Sequence, residues 1–241
     1  MLRGGADLSH VFCERSAGTA IKSYSPEIIV HPVLEASAPH PISVEAFQSI
    51  VTKSANEVAQ WIPRLDGILV GPGLGRDDVV IETCSQLIIT IAAQDKPLIL
   101  DADGLFILTC ALAPRSGSPT ATQVKMLQAL SSASVTITPN KVEWERLCNA
   151  FKLVSAGDDV LSLAGLLAPE VARRIGSRTT VVVKGPKDVI SDGTRTVECG
   201  MQGSPRRSGG QGDVLAGMLL TFKVWAASSV AKMAFEKGEE E

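Results

Sequence analysis

The chain has 241 residues, of which 45% are hydrophobic, 20% are charged and 4% are aromatic. These proportions are typical of a globular α/β domain with an aliphatic core, and we expect one domain over residues 1–241. The formal net charge of -3 argues against nucleic acid as a partner, because nucleic-acid-binding proteins usually present a basic face.

The cysteines and the hydropathy exclude two further classes of protein. The five cysteines are scattered and form no Cys-x-x-Cys pair, so we predict neither a zinc site nor a disulfide framework. Reduced cysteines favour a cytoplasmic location, with a mitochondrial location as the alternative for a longer form. No apolar run reaches about 18 residues, so we expect no transmembrane helix and no membrane partner.

Apolar runs alternate with helical patterns along the chain. These patterns predict strands at residues 6–12, 27–34, 66–70, 97–101, 135–138 and 180–184. They predict helices at residues 13–24, 141–150, 160–175 and 213–225, one that follows the N-cap Ser43, and one that carries Ile81 and Ile88. The dipeptide Asp192-Gly193 predicts a hairpin turn. Strands separated by helices predict a mostly parallel sheet covered on both faces, with ligands bound beyond the carboxyl ends of the strands.

The glycine-rich loop from Gly203 to Gly212 leads directly into the last predicted helix, at Asp213. Its glycines allow backbone N–H groups to approach a phosphate, and a helix N-terminus favours negative charge. Arg206 and Arg207 offer charge-assisted donors in the same loop. Asp213 suits a base that takes the proton of a hydroxyl attacking the γ-phosphate, with a simple helix cap as the structural alternative.

Two earlier turns also follow predicted strands. Arg76 breaks the Gly-x-Gly-x-x-Gly spacing of the segment from Gly71 to Gly75, so this segment does not predict a dinucleotide fingerprint. By itself the segment favours a tight turn without a ligand, with a bare backbone that meets a ligand as the functional alternative. Asp101 and Asp103 suit Mg²⁺ held through water, or ribose hydroxyls. The structural alternative makes Asp103 the N-cap of a helix, with Asp101 hydrogen-bonded in the turn.

Two later turns complete the set. Asn140 followed by Glu143 is a capping-box pattern, which is a sufficient structural explanation. The segment from Lys184 to Asp188 follows a buried-type strand and suits a nucleotide, with a solvated loop as the alternative. His10 and His31 lie in strand-like segments far from these loops, so we expect structural roles for them.

Taken in this order, the loops resemble those of the ATP-dependent NAD(P)H-hydrate dehydratases, which belong to the ribokinase-like superfamily. The matching segments, which extend from about Gly5 to Trp225, are ADLSHVFC, YSPEIIVHPVL, LVGPGLGRDD, LDADGL, TPNKVEWERL, VVVKGPKD, ISDG and GSPRRSGGQGDVLAG. The resemblance implies a ribokinase-like three-layer α/β sandwich. It also implies metabolite repair with ATP and Mg²⁺, in which the hydroxyl of hydrated NADH or NADPH is phosphorylated and loss of phosphate restores the reduced dinucleotide.

The resemblance also implies the site residues by position. Contacts with the hydrated dinucleotide are implied for Gly75, Asn140, Lys141, Val142, Glu143, Trp144, Glu145, Arg146 and Asp213. Contacts with ATP are implied for Lys184, Gly185, Pro186, Lys187, Asp188, Gly203, Ser204, Pro205, Arg206, Arg207, Ser208, Gly209, Gly210, Gln211 and Gly212. Asp213 is the implied catalytic base.

The ends of the chain depart from the family pattern. The family opens with a strand, a glycine-rich loop and a helix before ADLSHVFC, and it carries further helices near its end, so we expect a domain incomplete at both ends. Two alternatives stay open: a ribokinase-like kinase of a vitamin alcohol, and a truncated inactive form that only binds nucleotide. The segments GPGLGRDD and TPNKVEWERL favour the dehydratase. The apolar helix at 213–225 suits either deep burial or a subunit contact, which leaves a homo-oligomer open.

Overall fold

A computed structural model describes residues 2–37, 40, 42–114, 117–204, 206 and 208–228, with all of their side chains except that of Arg3. The α-helices are α1 (Gly18–Tyr24), α2 (Val44–Ala59), α3 (Asp78–Ala93), α4 (Asp103–Leu112), α5 (Ala121–Leu130), α6 (Lys141–Ala150), α7 (Ala164–Ile175) and α8 (Gln211–Ala227). The strands are β1 (His10–Glu14), β2 (Ile29–Leu34), β3 (Ile68–Val70), β4 (Leu98–Leu100), β5 (Val135–Ile137), β6 (Thr179–Val183), β7 (Asp188–Ser191) and β8 (Thr196–Cys199). Short 3-10 helices lie at Leu2–Gly4, Arg15–Ala17 and Ile62–Arg64. None of the helices in these ranges is long and apolar enough to cross a membrane.

The strands form two separate sheets. Strands β1 and β2 pair in parallel as a two-stranded sheet. The other six strands follow one another in the order β3-β4-β5-β6-β7-β8, in which β3 to β6 are parallel and β7 and β8 are antiparallel. The predicted mostly parallel sheet is confirmed, as is the hairpin, whereas the division into two sheets is not evident from the sequence.

The six-stranded sheet separates two layers of helices. Leu98 and Leu100 of β4 belong to a large core cluster that includes buried residues of every helix from α2 to α7. Ile99, between them, faces the opposite side and packs against Ala216 and Leu220 of α8. This alternation along one strand places helices on both faces, as the sequence predicts.

The bounds of the helices agree with the predictions to a varying degree. Helix α6 matches its predicted range, α8 begins two residues earlier than predicted, at Gln211, and α7 begins at Ala164 instead of residue 160. Ser43 caps α2 as predicted, with its side chain accepting a hydrogen bond from the Ala46 N–H. Helix α5 is not among the predicted helices, although Thr120 and Gln123 form a capping box at its start.

The two-stranded sheet is anchored by an aromatic cluster. The His10 Nδ1 and His31 Nε2 atoms lie 2.9 Å apart, and both rings contact the Trp61 ring, with centroids at 5.2 and 4.5 Å. Burial, followed by the neighbouring His10 and Lys22, lowers the pKa of His31, which favours its neutral form. The structural role predicted for the two histidines is confirmed.

Candidate active site

A buried ion pair lies at the carboxyl edge of the parallel strands. Asp101, which follows β4, accepts a hydrogen bond from the Lys184 ammonium, which follows β6, and the Asp101 Oδ1 to Lys184 Nζ distance is 2.8 Å. Asp101 is only 2% exposed. Thr138 follows β5, the strand between them, and its buried hydroxyl has no hydrogen-bond partner among the described residues. The three strands therefore deliver a fixed charge pair and an unused hydroxyl to one edge of the sheet.

The first turn of α8 packs directly on this ion pair. The position that a Cβ atom would take on Gly212 lies 3.6 Å from Lys184 Nζ and 4.0 Å from Asp101 Oδ2, so this turn of the helix is in van der Waals range of both groups. The N-cap residue is Gly210, with a φ of 78°, and no side chain among the described residues caps the helix. The Gln211 N–H donates to the Ser208 carbonyl oxygen at 3.5 Å. The next N–H groups of α8 have no partner among the described residues and can bind an anion beside the Lys184 ammonium.

Asp213 lies in the first turn of α8 and is exposed. It is not the N-cap of the helix, so the structural alternative for this residue is wrong, because Gly210 already occupies that position. The Asp213 carboxylate forms no hydrogen bond or ion pair with any residue that the structure describes. An acidic side chain in the first turn of a helix is stabilised by the helix dipole, and this one also faces solvent with no partner among the described side chains, which makes it a candidate for chemistry.

The described residues of the glycine-rich loop before Gln211 are exposed. The Arg206 N–H donates to the Ser204 hydroxyl at 3.2 Å, and the Ser208 N–H donates to Gln211 Oε1 at 3.2 Å. Gly203, Gly209 and Gly210 have no neighbouring atom within 4 Å of the position that a Cβ would take, so the loop backbone borders open space. Pro205 and Arg207, both expected to contact ATP, lie outside the described residues.

The turn after β6 is closed by a side chain. The Gly185 N–H donates to Asp188 Oδ1 at 2.9 Å, which makes Asp188 a brace of the turn. Gly185, Pro186 and Lys187 are exposed. Asp188 therefore has a structural role in this turn. Gly185, Pro186 and Lys187 are accessible to a ligand.

The turn that follows β3 packs against the start of α4. Gly71 has a φ of 137°, and a Cβ atom on it would lie 1.6 Å from the Asp101 carbonyl oxygen, so only glycine fits. A Cβ atom on Gly104 would lie 2.3 Å from the Val70 carbonyl oxygen. Gly73 and Gly75 also have positive φ values, yet they border open space. The space beside them is open, and the Gly75 N–H is itself engaged by the Asp103 carboxylate.

Asp103 supports that turn and does not cap α4. Its carboxylate accepts hydrogen bonds from the Gly75 N–H at 2.9 Å and from Arg76 Nε at 3.3 Å. The N-cap of α4 is Ala102, with a φ of 48° and no side-chain cap, so the structural alternative for Asp103 is wrong. The carboxylate instead holds the Gly71–Gly75 turn at a fixed distance from α4.

A small crevice connects this turn with α6. It has a volume of about 10 Å³ and is lined in part by Arg76, Phe106, Glu143 and Arg146. The Arg76 guanidinium lies 4.4 Å from the centre of the Phe106 ring, a cation–π contact that orients it. The structure therefore brings two of the predicted substrate loops together and adds Arg76, which the sequence analysis treated only as a break in a spacing pattern.

Asn140 begins α6 with the predicted capping box. Its side chain accepts from the Val142 and Glu143 N–H groups, and Glu143 Oε2 accepts from the Asn140 N–H at 2.9 Å. Trp144 is fully buried and donates from Nε1 to the Val160 carbonyl at 2.9 Å, so its side chain anchors α6 instead of facing a ligand. Of the run expected to contact the substrate, Lys141, Val142, Glu145 and Arg146 are exposed.

The described residues contain no cluster of three or more histidine, cysteine, aspartate or glutamate side chains that could hold a metal ion. The carboxylates at the strand ends are engaged elsewhere, Asp101 by Lys184 and Asp103 by Gly75 and Arg76.

A comparison of the sequence with protein families finds that the NAD(P)H-hydrate dehydratase family matches residues 1–238. Relatives named ATP-dependent (S)-NAD(P)H-hydrate dehydratase include one from Vitis vinifera, 39% identical over 95% of this chain and 59% of its own length. Those from Sorghum bicolor and Bos taurus are each 40% identical over 93% of this chain, and over 54% and 58% of their own lengths. The chain thus spans 54–59% of the length of these curated relatives.

Solved structures share the fold at lower identity. A ribokinase-like superfamily protein from Enterococcus faecalis has a TM-score of 0.57 and 19% identity, covering 92% of this chain and 63% of its own. A hydroxyethylthiazole kinase from Pyrococcus horikoshii has a TM-score of 0.53 and 18% identity, covering 90% and 70%. These similarities confirm the ribokinase-like α/β fold.

Proposed function

The chain belongs to the NAD(P)H-hydrate dehydratase family, and we propose that it uses ATP to convert hydrated NADH and NADPH back to the reduced dinucleotides. The names of its relatives support this activity, since they are called ATP-dependent (S)-NAD(P)H-hydrate dehydratases. The site supports it independently, because the loops expected to hold ATP and substrate meet at one edge of the sheet.

The observation that carries the proposal is the packing of the uncapped first turn of α8 on the Asp101–Lys184 pair. Free N–H groups and the helix dipole favour negative charge at this point, and the Lys184 ammonium adds a full positive charge. Asp101 holds that ammonium in place at 2.8 Å. The arrangement is suited to the phosphates of ATP, and the exposed loop that leads into α8 carries Arg206 as a further charged donor.

Asp213 supplies the base in this proposal. Its exposed carboxylate directly follows Gly212, which places it beside the proposed phosphate position. The carboxylate takes the proton of the ring hydroxyl as that oxygen bonds to the γ-phosphorus and the bond to ADP breaks. Loss of the phosphate, together with a proton from the adjacent ring carbon, then forms the double bond of the reduced nicotinamide.

The substrate is proposed to lie on the other side of Asp213, toward α4 and α6. The bare backbone at Gly73 and Gly75, held by Asp103, allows close approach of a dinucleotide. Glu143 and Arg146 of α6 line the crevice beside Arg76, which directly follows Gly75. Arg residues are suited to the pyrophosphate of such a ligand because they offer planar charge-assisted donors.

We propose that Mg²⁺ reaches this site bound to the phosphates of ATP. The carboxylates at the strand ends are already paired, so the described residues present no dedicated cage for the ion. Mg²⁺ commonly keeps several waters and binds through substrate phosphates with few protein ligands.

Analysis of the products distinguishes this activity from that of a vitamin-alcohol kinase. The chain is incubated with ATP and Mg²⁺ and either hydrated NADH or hydroxyethylthiazole, and ADP, phosphate, reduced dinucleotide and phosphate ester are measured. We expect equal amounts of ADP, phosphate and NADH from the hydrate, with no ADP from the thiazole alcohol. A stable phosphate ester of the thiazole, without NADH formation from the hydrate, would instead support the kinase.

A further inference from the structure

Two contacts orient the Arg76 guanidinium at the end of the Gly71–Gly75 turn. Arg76 Nε donates to Asp103 Oδ1 at 3.3 Å, and the Arg76 Cζ atom lies 4.4 Å from the centre of the Phe106 ring. The side chain still retains 51% exposure, and its terminal Nη groups form no hydrogen bond with any residue that the structure describes. The guanidinium is therefore held in one orientation while its outer donors stay unused.

A second guanidinium, that of Arg146 in α6, lines the same crevice between α4 and α6. Arg146 is exposed and forms no hydrogen bond or ion pair within the described part of the chain. Glu143 lies one turn earlier on α6 but does not pair with it, because the Glu143 carboxylate accepts from the Asn140 N–H instead. Two segments that are distant in sequence thus bring unused guanidinium donors together at one crevice.

We propose that Arg76 and Arg146 together bind one phosphate group of the hydrated dinucleotide. This inference rests on the proposed function and adds Arg76 to the residues that contact the substrate. A guanidinium matches phosphate oxygens with planar, charge-assisted donors, and two of them can share the oxygens of a single group. Hydrated NADH offers only its pyrophosphate, whereas hydrated NADPH offers a 2′-phosphate as well. A comparison of the two substrates therefore distinguishes the two sources of the phosphate.

The carboxylates beside the crevice do not prevent a phosphate from binding there. Asp103 accepts from the Gly75 N–H at 2.9 Å as well as from Arg76, and Glu143 belongs to the capping box of α6. Asp103 and Glu143 each lie in the first turn of a helix, where the positive end of the helix dipole offsets negative charge. These hydrogen bonds and dipoles compensate the two carboxylates and leave the outer donors of the arginines for an anion.

Binding of the two hydrates tests the proposal on the intact chain. The chain is saturated with a non-hydrolysable ATP analogue and Mg²⁺, which prevents turnover, and the Kd of each hydrate is measured by calorimetry. We expect Arg76→Gln and Arg146→Gln each to weaken the Kd about tenfold or more. A loss for both hydrates assigns the pair to the pyrophosphate, and a loss confined to hydrated NADPH assigns it to the 2′-phosphate.

A double variant and a matched control separate a shared phosphate from a general effect of losing charge. The double variant should lose less affinity than the product of the two single factors, because both arginines hold the same group. Arg64→Gln is the control, since Arg64 is also exposed and lies over an aromatic ring, with its Cζ atom 5.5 Å from the centre of the Trp61 ring. Arg64 precedes β3, at the opposite edge of the sheet, so this variant should leave both affinities unchanged.

The proposal is wrong if Arg76→Gln binds both hydrates as tightly as a parent chain that itself binds and converts them, and in that case the proposed function stands. It is also wrong if the two single losses multiply fully in the double variant. Equal weakening of the ATP analogue by Arg76→Gln would likewise overturn it, since Arg76 would then be only a brace of the turn. Arg146→Gln removes no hydrogen bond or ion pair with a described residue, so it provides the test if the Arg76 variant fails to fold. A parent chain that binds neither hydrate would refute the proposed function, and this proposal with it.

Discussion

The Asp101 carboxylate illustrates how one side chain serves both stability and the proposed site. It is almost completely buried, and its charge is balanced by Lys184 at 2.8 Å. Removing one partner of a buried ion pair leaves the other charge uncompensated, which costs about 3–5 kcal/mol in fully buried cases. Lys184 retains 21% side-chain exposure, so water reduces that cost here.

A double-mutant cycle measures this interaction. We expect Asp101→Asn and Lys184→Met each to lower the free energy of unfolding, and the double variant to lose less than the sum of the two. The expected coupling is about 1 kcal/mol or more, read from urea unfolding. Additive losses would show that the two side chains do not stabilise each other in solution.

The same lysine is expected to contribute to ATP binding together with Arg206. Charge-assisted hydrogen bonds to phosphate contribute about 1.5–3 kcal/mol, so Lys184→Ala and Arg206→Ala should each weaken the Kd for ATP roughly tenfold or more. The affinity for the hydrated dinucleotide should change much less. Lys53→Ala, at an exposed position on α2, is the matched control. Equal weakening of both ligands would contradict the assignment of these residues to the phosphates.

The sequence predicts only some of the residues and contacts of the candidate site. Glycine-rich turns after strands identify the right loops, and the capping box at Asn140 is evident from its spacing. The roles of Asp101 and Asp103 depend on partners far away in sequence, Lys184 and Gly75, which local patterns do not reveal. One signal in the sequence could have predicted the ion pair: Asp101 and Lys184 each directly follow a strand of the same parallel sheet.

At the scale of elements, the start of α4 stores backbone strain. Ala102 has a φ of 48° and a ψ of -116°, a conformation that glycine adopts far more easily than alanine. Such strain costs about 1–3 kcal/mol and persists only where the surrounding structure enforces it. Here the close contact between the β3 turn and Gly104 enforces it.

Ala102→Gly is therefore expected to stabilise the chain, even though glycine adds freedom to the unfolded state. A net gain of about 1 kcal/mol would raise Tm by roughly 2–4 °C for a domain of this size. Ala121→Gly, at the first position of α5, is the control and should lower Tm instead. A drop in Tm for Ala102→Gly would show that the strain is absent in solution.

Helix α8 carries a lysine on its buried side. Lys223 Nζ donates to Thr136 Oγ1 of β5 at 2.8 Å. Burial, with Arg178 as a second cause, lowers the pKa of this ammonium from 10.5 to about 8. In the unfolded chain the lysine stays protonated at higher pH than in the folded chain. The free energy of unfolding should therefore rise as pH increases through the window between these two values.

Lys223→Met should remove that rise, because methionine fills a similar space without a charge. We expect the variant to be more stable than the parent near neutral pH and to lose this advantage at alkaline pH. Urea unfolding at both pH values measures the difference, which is at most roughly 3 kcal/mol. Lys53→Met, at a solvent-facing position, is the control. An unchanged pH dependence in Lys223→Met would mean that the lysine is solvated in solution.

Strands and helices with strong local signals could be predicted from the sequence, and those set by distant contacts could not. Strand β5 and helix α6 agree closely with their predicted ranges because an apolar run and a capping box define them. Helix α5 is weakly amphipathic, with only Met126 and Leu130 buried, so its pattern is faint. The division into two sheets depends on which strand edges meet, and hydrophobic periodicity carries no information about that.

At the scale of the whole molecule, the candidate site lies where an open parallel sheet is expected to bind its ligands. The carboxyl ends of β4, β5 and β6 collect the charged and glycine-rich loops. A cavity of about 770 Å³ lies elsewhere, beside β3, whose outer edge has no neighbouring strand among the described residues.

The most direct test of the proposed function compares the chain with its Asp213→Asn variant. Hydrated NADH is supplied with Mg²⁺, with and without ATP, and the return of the near-ultraviolet absorbance band of NADH is followed. We predict recovery by the parent chain only when ATP is present, and no recovery by Asp213→Asn although that variant still binds ATP. The absence of ATP-dependent recovery by a parent chain that unfolds cooperatively and binds ATP would contradict the activity. Undiminished recovery by Asp213→Asn would remove Asp213 as the base.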